Sequence, residues 1–204
     1  MVKSVGLKQV FFLLFLITLA VSVKAQRFEG GVVVGLSGSQ VDGDGYGGYK
    51  KAGIYSGLWV RMPIAERLDI QAELAFSQKG SKRLPDKNGN IHYLLKLNYV
   101  DFPLSVRYNI SDKIGIESGF NAGFFAGAKE YLNYEPIDYG DFHKVELAFL
   151  LGLYWNMYDN ISIGVRNSNS ILSIRKTKPN GSVKRIFDTG QYNNVLTIQV
   201  LVKL

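Results

Sequence analysis

His92 and His143 are the two imidazoles of this chain, so a hydrolytic triad or acid–base pair would have to be built on one of them. Ser81 could serve as nucleophile, and Asp141 or Glu130 could orient the ring. These residues fall in segments that read as connections, and no G-x-S-x-G elbow accompanies them, so catalysis is not the expectation. The run Asp42-Gly43-Asp44-Gly45-Tyr46-Gly47-Gly48 resembles the start of a calcium loop, but lacks the later ligands and the bidentate Glu. It reads as a loop, and no metal or other cofactor is expected. A third cluster is cationic. Arg175, Lys176, Lys178, Lys184 and Arg185 fall within eleven residues that contain no acid. Such a run could bind phosphate groups of lipopolysaccharide, or a partner protein, by charge-assisted hydrogen bonds, or could simply be a solvated loop.

What these residues can do depends on the elements that hold them. From about residue 30 to the end, apolar and polar residues alternate with period two, and no helical period is sustained. Eight strands are predicted, near 29–41, 52–62, 67–80, 93–110, 113–127, 144–157, 160–173 and 191–203. The connections alternate long (42–51, 81–92, 128–143, 174–190) with short (63–66, 111–112, 158–159). In an up-and-down antiparallel arrangement all long loops then lie at one end. Transmembrane barrels of the outer membrane have this asymmetry, and strands of this length suit a tilted crossing of a bilayer.

Parity sorts the faces. Leu68, Ile70, Ala72, Leu74 and Phe76 oppose Asp69, Gln71, Glu73 and Ser77; Leu196, Ile198, Val200 and Val202 oppose Thr197, Gln199 and Lys203. A soluble lipocalin-like barrel binding an apolar ligand would alternate too, with its apolar face inward. The polar face here is rich in Gly and small polar residues with single charges among them. That suits a narrow interior better than a solvated exterior, so the apolar face is expected to meet lipid. The interior would then hold Arg61, Arg107, Arg166 and Lys203 with Asp69, Glu73, Asp101, Glu117 and Glu146, near neutrality, and these should pair across a lumen too narrow to conduct. In the fourth strand, parity slips between Leu95-Leu97-Tyr99 and Val100-Phe102-Leu104-Val106-Tyr108, which predicts a β-bulge near Tyr99-Val100. Tyr108, Trp155 and Tyr158 beside the short turns would form an interfacial aromatic belt, while parity turns Trp59 inward.

The first residues carry Lys3 and Lys8, an apolar run over 10–17 and a small-residue site ending at Ala25. This pattern predicts a secretory signal peptide over 1–25, cleaved before Gln26, ahead of one barrel domain over 26–204. No Cys is present, so neither a disulfide framework nor a lipidated cysteine is expected. The formal charge of +7 falls to +4 without Lys3, Lys8 and Lys24, too little to point to nucleic acid.

Three segments resemble the PorT-like outer-membrane β-barrel proteins of the Bacteroidetes type: Glu73-Leu74-Ala75-Phe76-Ser77-Gln78-Lys79-Gly80, Tyr99-Val100-Asp101-Phe102-Pro103-Leu104-Ser105-Val106-Arg107-Tyr108 and Gly119-Phe120-Asn121-Ala122-Gly123-Phe124-Phe125-Ala126-Gly127. The chain departs from that group in ending Val202-Lys203-Leu204 rather than on an aromatic residue. The resemblance implies an integral outer-membrane barrel with a structural or interaction role, accessory to protein secretion or surface assembly. Its partners would be outer-membrane lipid, lipopolysaccharide and an envelope protein. An outer-membrane lipid-modifying enzyme is the further alternative.

Overall fold

The structure, a computed structural model, describes residues 28–85, 92–138, 140, 142–176 and 181–204. The segment expected to be a signal peptide lies outside the described residues. Among them the strands are β1 (Glu29–Asp42), β2 (Lys51–Ala65), β3 (Leu68–Arg83), β4 (Tyr93–Asn109), β5 (Ile114–Leu132), β6 (Glu135–Pro136), β7 (Val145–Tyr158), β8 (Ile161–Ser170), β9 (Val183–Lys184), β10 (Thr189–Gly190) and β11 (Tyr192–Lys203). The sheet runs β4-β3-β2-β1-β11-β8-β7-β5, and β5 pairs back onto β4. Eight long strands therefore close an antiparallel barrel, with β6 appended to β5 and β9–β10 forming a small hairpin in the last long loop.

The apolar parity faces outward. Leu36, Leu58, Leu104, Phe120, Leu151, Leu153 and Ile198 are exposed on the wall, whereas Gln71, Glu73, Asp101, Arg107, Glu117, Glu146 and Arg166 are buried inside. An apolar-lined ligand cavity of the lipocalin kind would need the reverse. Such a continuous apolar wall belongs in lipid, where backbone polar groups find no water and a closed ladder satisfies them internally. Tyr108, Trp155 and Tyr158 stand exposed beside the short turns as an aromatic belt requires, and buried Trp59 donates its indole N–H inward to the Val32 carbonyl at 3.1 Å.

The expected bulge in the fourth strand is not there. β4 alternates without interruption, with Tyr93, Leu95, Leu97 and Tyr99 all pointing inward. The apparent slip is a change in what the lumen contains: near the long loops the inward positions become apolar, and these four residues pack with Val41 and Ile174 into a plug. The irregularity sits in the neighbouring strand. Asn98 pairs with Gly127 and Tyr99 with Phe125, which leaves Ala126 as the extra residue of β5. From there the parity of β5 inverts, and Glu130 turns inward. β3 and β5 also run beyond the predicted ends at 80 and 127, while β8 stops at Ser170 rather than 173, so one side of the barrel wall stands taller than the other.

Leu104 lies at the middle of the outward row Val100, Phe102, Leu104, Val106 and Tyr108. Leu104→Arg is expected to destabilise the barrel by about 2–4 kcal/mol, the cost of a cation near the bilayer midplane. Denaturant unfolding from lipid vesicles, compared with wild type, measures this.

Candidate functional site

The interior is built in tiers. Nearest the short turns, Arg61 lies 3.7 Å from Glu29, donates to the Gln71 side chain at 3.0 and 3.2 Å, and stacks over Trp59. Lys203 also pairs with Glu29, at 2.5 Å, but is 41% exposed and belongs to the rim rather than to the enclosed lumen expected for it. Asp69 accepts from Asn109 at 3.1 Å. Arg107 is buried without a carboxylate partner: it donates to Gln71 Oε1 at 2.6 Å and lies 3.5 Å above the Tyr154 ring.

The second tier spans the lumen. Arg166 from β8 bonds Glu73 of β3 at 2.5 and 3.1 Å and Glu117 of β5 at 2.7 and 3.0 Å. Tyr55 and Gln71 donate to the same Glu73 carboxylate, at 2.6 and 2.7 Å. In the third tier Lys79 bridges Asp101 at 3.0 Å and Glu146 at 2.8 Å, while Ser170 and Asn193 donate to Glu146. Glycines make room for these groups: a Cβ on Gly152 would lie 2.6 Å from Glu117 Oε1, and one on Gly123 would lie 2.6 Å from Asp101 Oδ1. Above the apolar plug, Arg175 pairs with Glu130 at 2.8 and 2.9 Å and donates to Gln191 at 2.6 Å, and the Tyr93 hydroxyl donates to Glu130.

Parity thus brought together Glu73, Glu117 and Arg166, and Asp101 with Glu146. It missed three groups. Lys79 continues the inward row Asp69, Gln71, Glu73, Ser77, and following that row two residues further would have found it. Glu130 lies behind the bulge, where parity misleads, and Arg175 lies in a connection where parity does not apply.

Arg175 is a correction. Expected in a lipopolysaccharide-binding or partner-binding loop, it is fully buried because its guanidinium satisfies Glu130 at the mouth of the barrel. Arg185 is likewise engaged, with Asp42, Asn169 and the Ser170 carbonyl at 2.5–2.6 Å. Lys176 and Lys184 are exposed, and Lys178 lies outside the described residues. Of the two imidazoles, His143 has a polar partner, whereas the buried Nδ1 of His92 has none among the described residues. His143 Nδ1 lies 2.8 Å from the Ser173 carbonyl, and His92 stacks on Tyr134 with centroids 4.3 Å apart. Ser81 is buried, Glu130 is committed to Arg175, and Asp141 lies outside the described residues. Among the described residues no group of three His, Cys, Asp or Glu side chains could hold a metal.

Asp44 does not behave as a calcium ligand either. Its Oδ1 accepts the Tyr46 amide at 2.7 Å, closing a turn, and its Oδ2 is buried without a partner. Burial pushes its carboxyl up to about 6, against the smaller opposing effects of the Tyr46 amide and Arg175.

A family model, the outer membrane protein beta-barrel domain, matches residues 22–175. The chain belongs to that family. The short turns are therefore periplasmic and the long loops external. Among solved structures the barrel is similar to Ail, the attachment invasion locus protein of Yersinia pestis, in complex with the heparin analogue sucrose octasulfate. The two are 16% identical with a TM-score of 0.53, over 87% of this chain and 99% of that one. Neisserial surface protein A is similar too, 11% identical with a TM-score of 0.53, over 89% of this chain and 100% of that one. These likenesses speak for the fold. A search of curated proteins by sequence finds no match.

Two outcomes follow for this family member. Arg166→Leu leaves Glu73 and Glu117 buried without their cation and should cost about 3–5 kcal/mol in denaturant unfolding; adding Glu73→Gln and Glu117→Gln should recover part of that loss. Asp44 has a folded-state pKa above its unfolded one, so the folded loop holds the extra proton between about pH 4 and about pH 6. Its contribution is therefore intact at low pH and is lost as pH rises through about 6. Protease cleavage in the 43–50 loop should accelerate over that window in wild type, and should lose that step in Asp44→Asn.

Proposed function

We propose that this protein is a non-enzymatic, non-conducting interaction barrel, PorT-like within its family and accessory to protein secretion or surface assembly. An envelope protein would be its partner, with outer-membrane lipid and lipopolysaccharide as its surroundings. The observation that carries this reading is the contrast between a lumen blocked across its middle and external parts, below which a hollow of about 500 Å3 opens at the short-turn mouth, and an external end that presents a braced apolar tip. The charge tiers and the plug of Val41, Tyr93, Leu95, Leu97, Tyr99 and Ile174 occupy the interior, and an eight-stranded barrel has little other space. The His143 ring is held at the Ser173 carbonyl and the His92 ring lies flat against Tyr134, which supports a non-catalytic role.

Activity then falls to the external surface. The β9–β10 hairpin is held by Arg185, whose three hydrogen bonds tie it to β1 and β8, and by the Arg185 amide bonding the Asp188 carbonyl at 2.9 Å. Its tip holds Ile186, 92% exposed, and Phe187, 69% exposed. Apolar side chains offered on a hairpin whose backbone is already tied to the barrel cost little further backbone ordering on binding, which favours a protein contact. Lys176 and Lys184 flank the tip as rim charges, so of the cationic cluster these two remain candidates for a partner contact.

A photo-crosslinking side chain at Phe187 in the full chain, in the native envelope, tests this. The reading expects a discrete protein adduct that disappears with Ile186→Asp, while the same probe at Ile114 yields none. Lipid adducts alone at Phe187, or stepwise conductance of the purified barrel in planar bilayers, would contradict it.

A further inference from the structure

A second group of cations without an ion pair lies on the taller side of the wall. On β3 and β4 the outward apolar row ends at the cross-strand pair Phe76 and Val100; the next outward pairs toward the external end are Gln78 with Asn98, Gly80 with Lys96, and Lys82 with Leu94. Across the other edge of β4, Lys96 stands directly opposite Lys129 of β5, and both are exposed. Like charges directly opposite one another weaken strand pairing. None of these lysines forms an ion pair among the described residues.

From β2, Lys51 adds a nearly buried ammonium that donates to the Ala52 carbonyl at 2.5 Å, beside Lys82 and Lys96 and with no carboxylate to offset them. Lys51, Lys82, Lys96, Gln78 and Asn98 line one hollow of about 390 Å3. Gly80 keeps the backbone under Lys96 bare: its φ is +135°, and a Cβ there would meet the Leu95 carbonyl oxygen at 2.1 Å. The side-chain amides of Gln78 and Asn98 have no protein partner among the described residues and can donate to an oxyanion.

We propose that this outer wall binds the phosphorylated headgroup of an outer-leaflet glycolipid through Lys51, Lys82, Lys96 and Lys129. A phosphate seated between Lys96 and Lys129 converts their repulsion into two charge-assisted bonds. The occupant is a lipid rather than a free anion because the hollow opens onto the wall directly above Phe76 and Val100. A headgroup placed there lays its acyl chains along the apolar row below. This site is separate from the β9–β10 tip, and neither proposal depends on the other.

The test uses the full chain in phosphatidylcholine nanodiscs doped with bis-phosphorylated lipid A or with the same lipid stripped of phosphate. Retained lipid is counted by native mass spectrometry. Variants are Lys96→Gln alone, Lys82→Gln/Lys96→Gln/Lys129→Gln, and a short-turn control, Lys113→Gln/Lys203→Gln, each confirmed as folded by its faster migration unheated. Wild type and control are expected to retain the phosphorylated lipid about tenfold better, the triple variant to lose that preference, and Lys96→Gln to lose part of it. In phosphatidylcholine alone, the triple variant should be at least as stable as wild type, since it relieves repulsion. Equal retention of the two lipids by wild type, or full preference in the folded variants, would overturn the site. Displacement of the lipid by millimolar inorganic phosphate would overturn the lipid as its occupant.

Discussion

A strand in hydrocarbon has no water to satisfy its N–H and C=O groups, so every one must be paired within the sheet. The rest of this molecule follows from that requirement. It forces closure of β5 onto β4, so that no edge strand meets lipid, and it fixes the alternation of side chains to the wall and the lumen. Eight strands are the smallest usual solution, and their narrow interior must be filled.

Filling it with polar groups brings a second requirement, because a charge enclosed without a partner costs several kcal/mol. The cations of the middle tiers are therefore shared: Arg166 serves two carboxylates and Lys79 serves two more, on strands that are not neighbours. Gly123 and Gly152 belong to the same solution, since a side chain at either would collide with the carboxylates. Near the mouth the lumen is filled differently, by tyrosine and leucine from β4, with Arg175 and Glu130 closing over them. Removing one member of such a pair is costly, whereas replacing the whole pair by apolar groups of the same volume need not be.

The strands, their closure and the direction of the apolar face were legible in the sequence because period-two alternation is a strong signal and each strand repeats it many times. Glu73, Asp101, Glu117, Glu146 and Arg166 were legible for the same reason. The misread positions are those where period two stops describing the chain. Leu95, Leu97 and Tyr99 broke the apolar-out rule without breaking the alternation, because an apolar plug and a lipid-facing row look alike one residue at a time. Ala126 shifted the phase of β5 with nothing in its own identity to announce it, and so concealed Glu130. Arg175 and Arg185 read as free loop cations because their partners, Glu130 and Asp42, are distant in sequence. The unpaired lysines of the outer wall, Lys82, Lys96 and Lys129, lie on three different strands and form a group only after the register is known.

The central claim is that the even-numbered face of β4 meets lipid and the odd-numbered face fills a sealed lumen. The chain contains no cysteine, so single spin-labelled cysteines can be placed one at a time from Val100 to Tyr108 without background. Accessibility to oxygen, which partitions into lipid, should be high at 100, 102, 104, 106 and 108. It should be low at 101, 103, 105 and 107, with no access there to a water-soluble nickel reagent. The opposite phase, or nickel access along the odd-numbered row, would contradict the account.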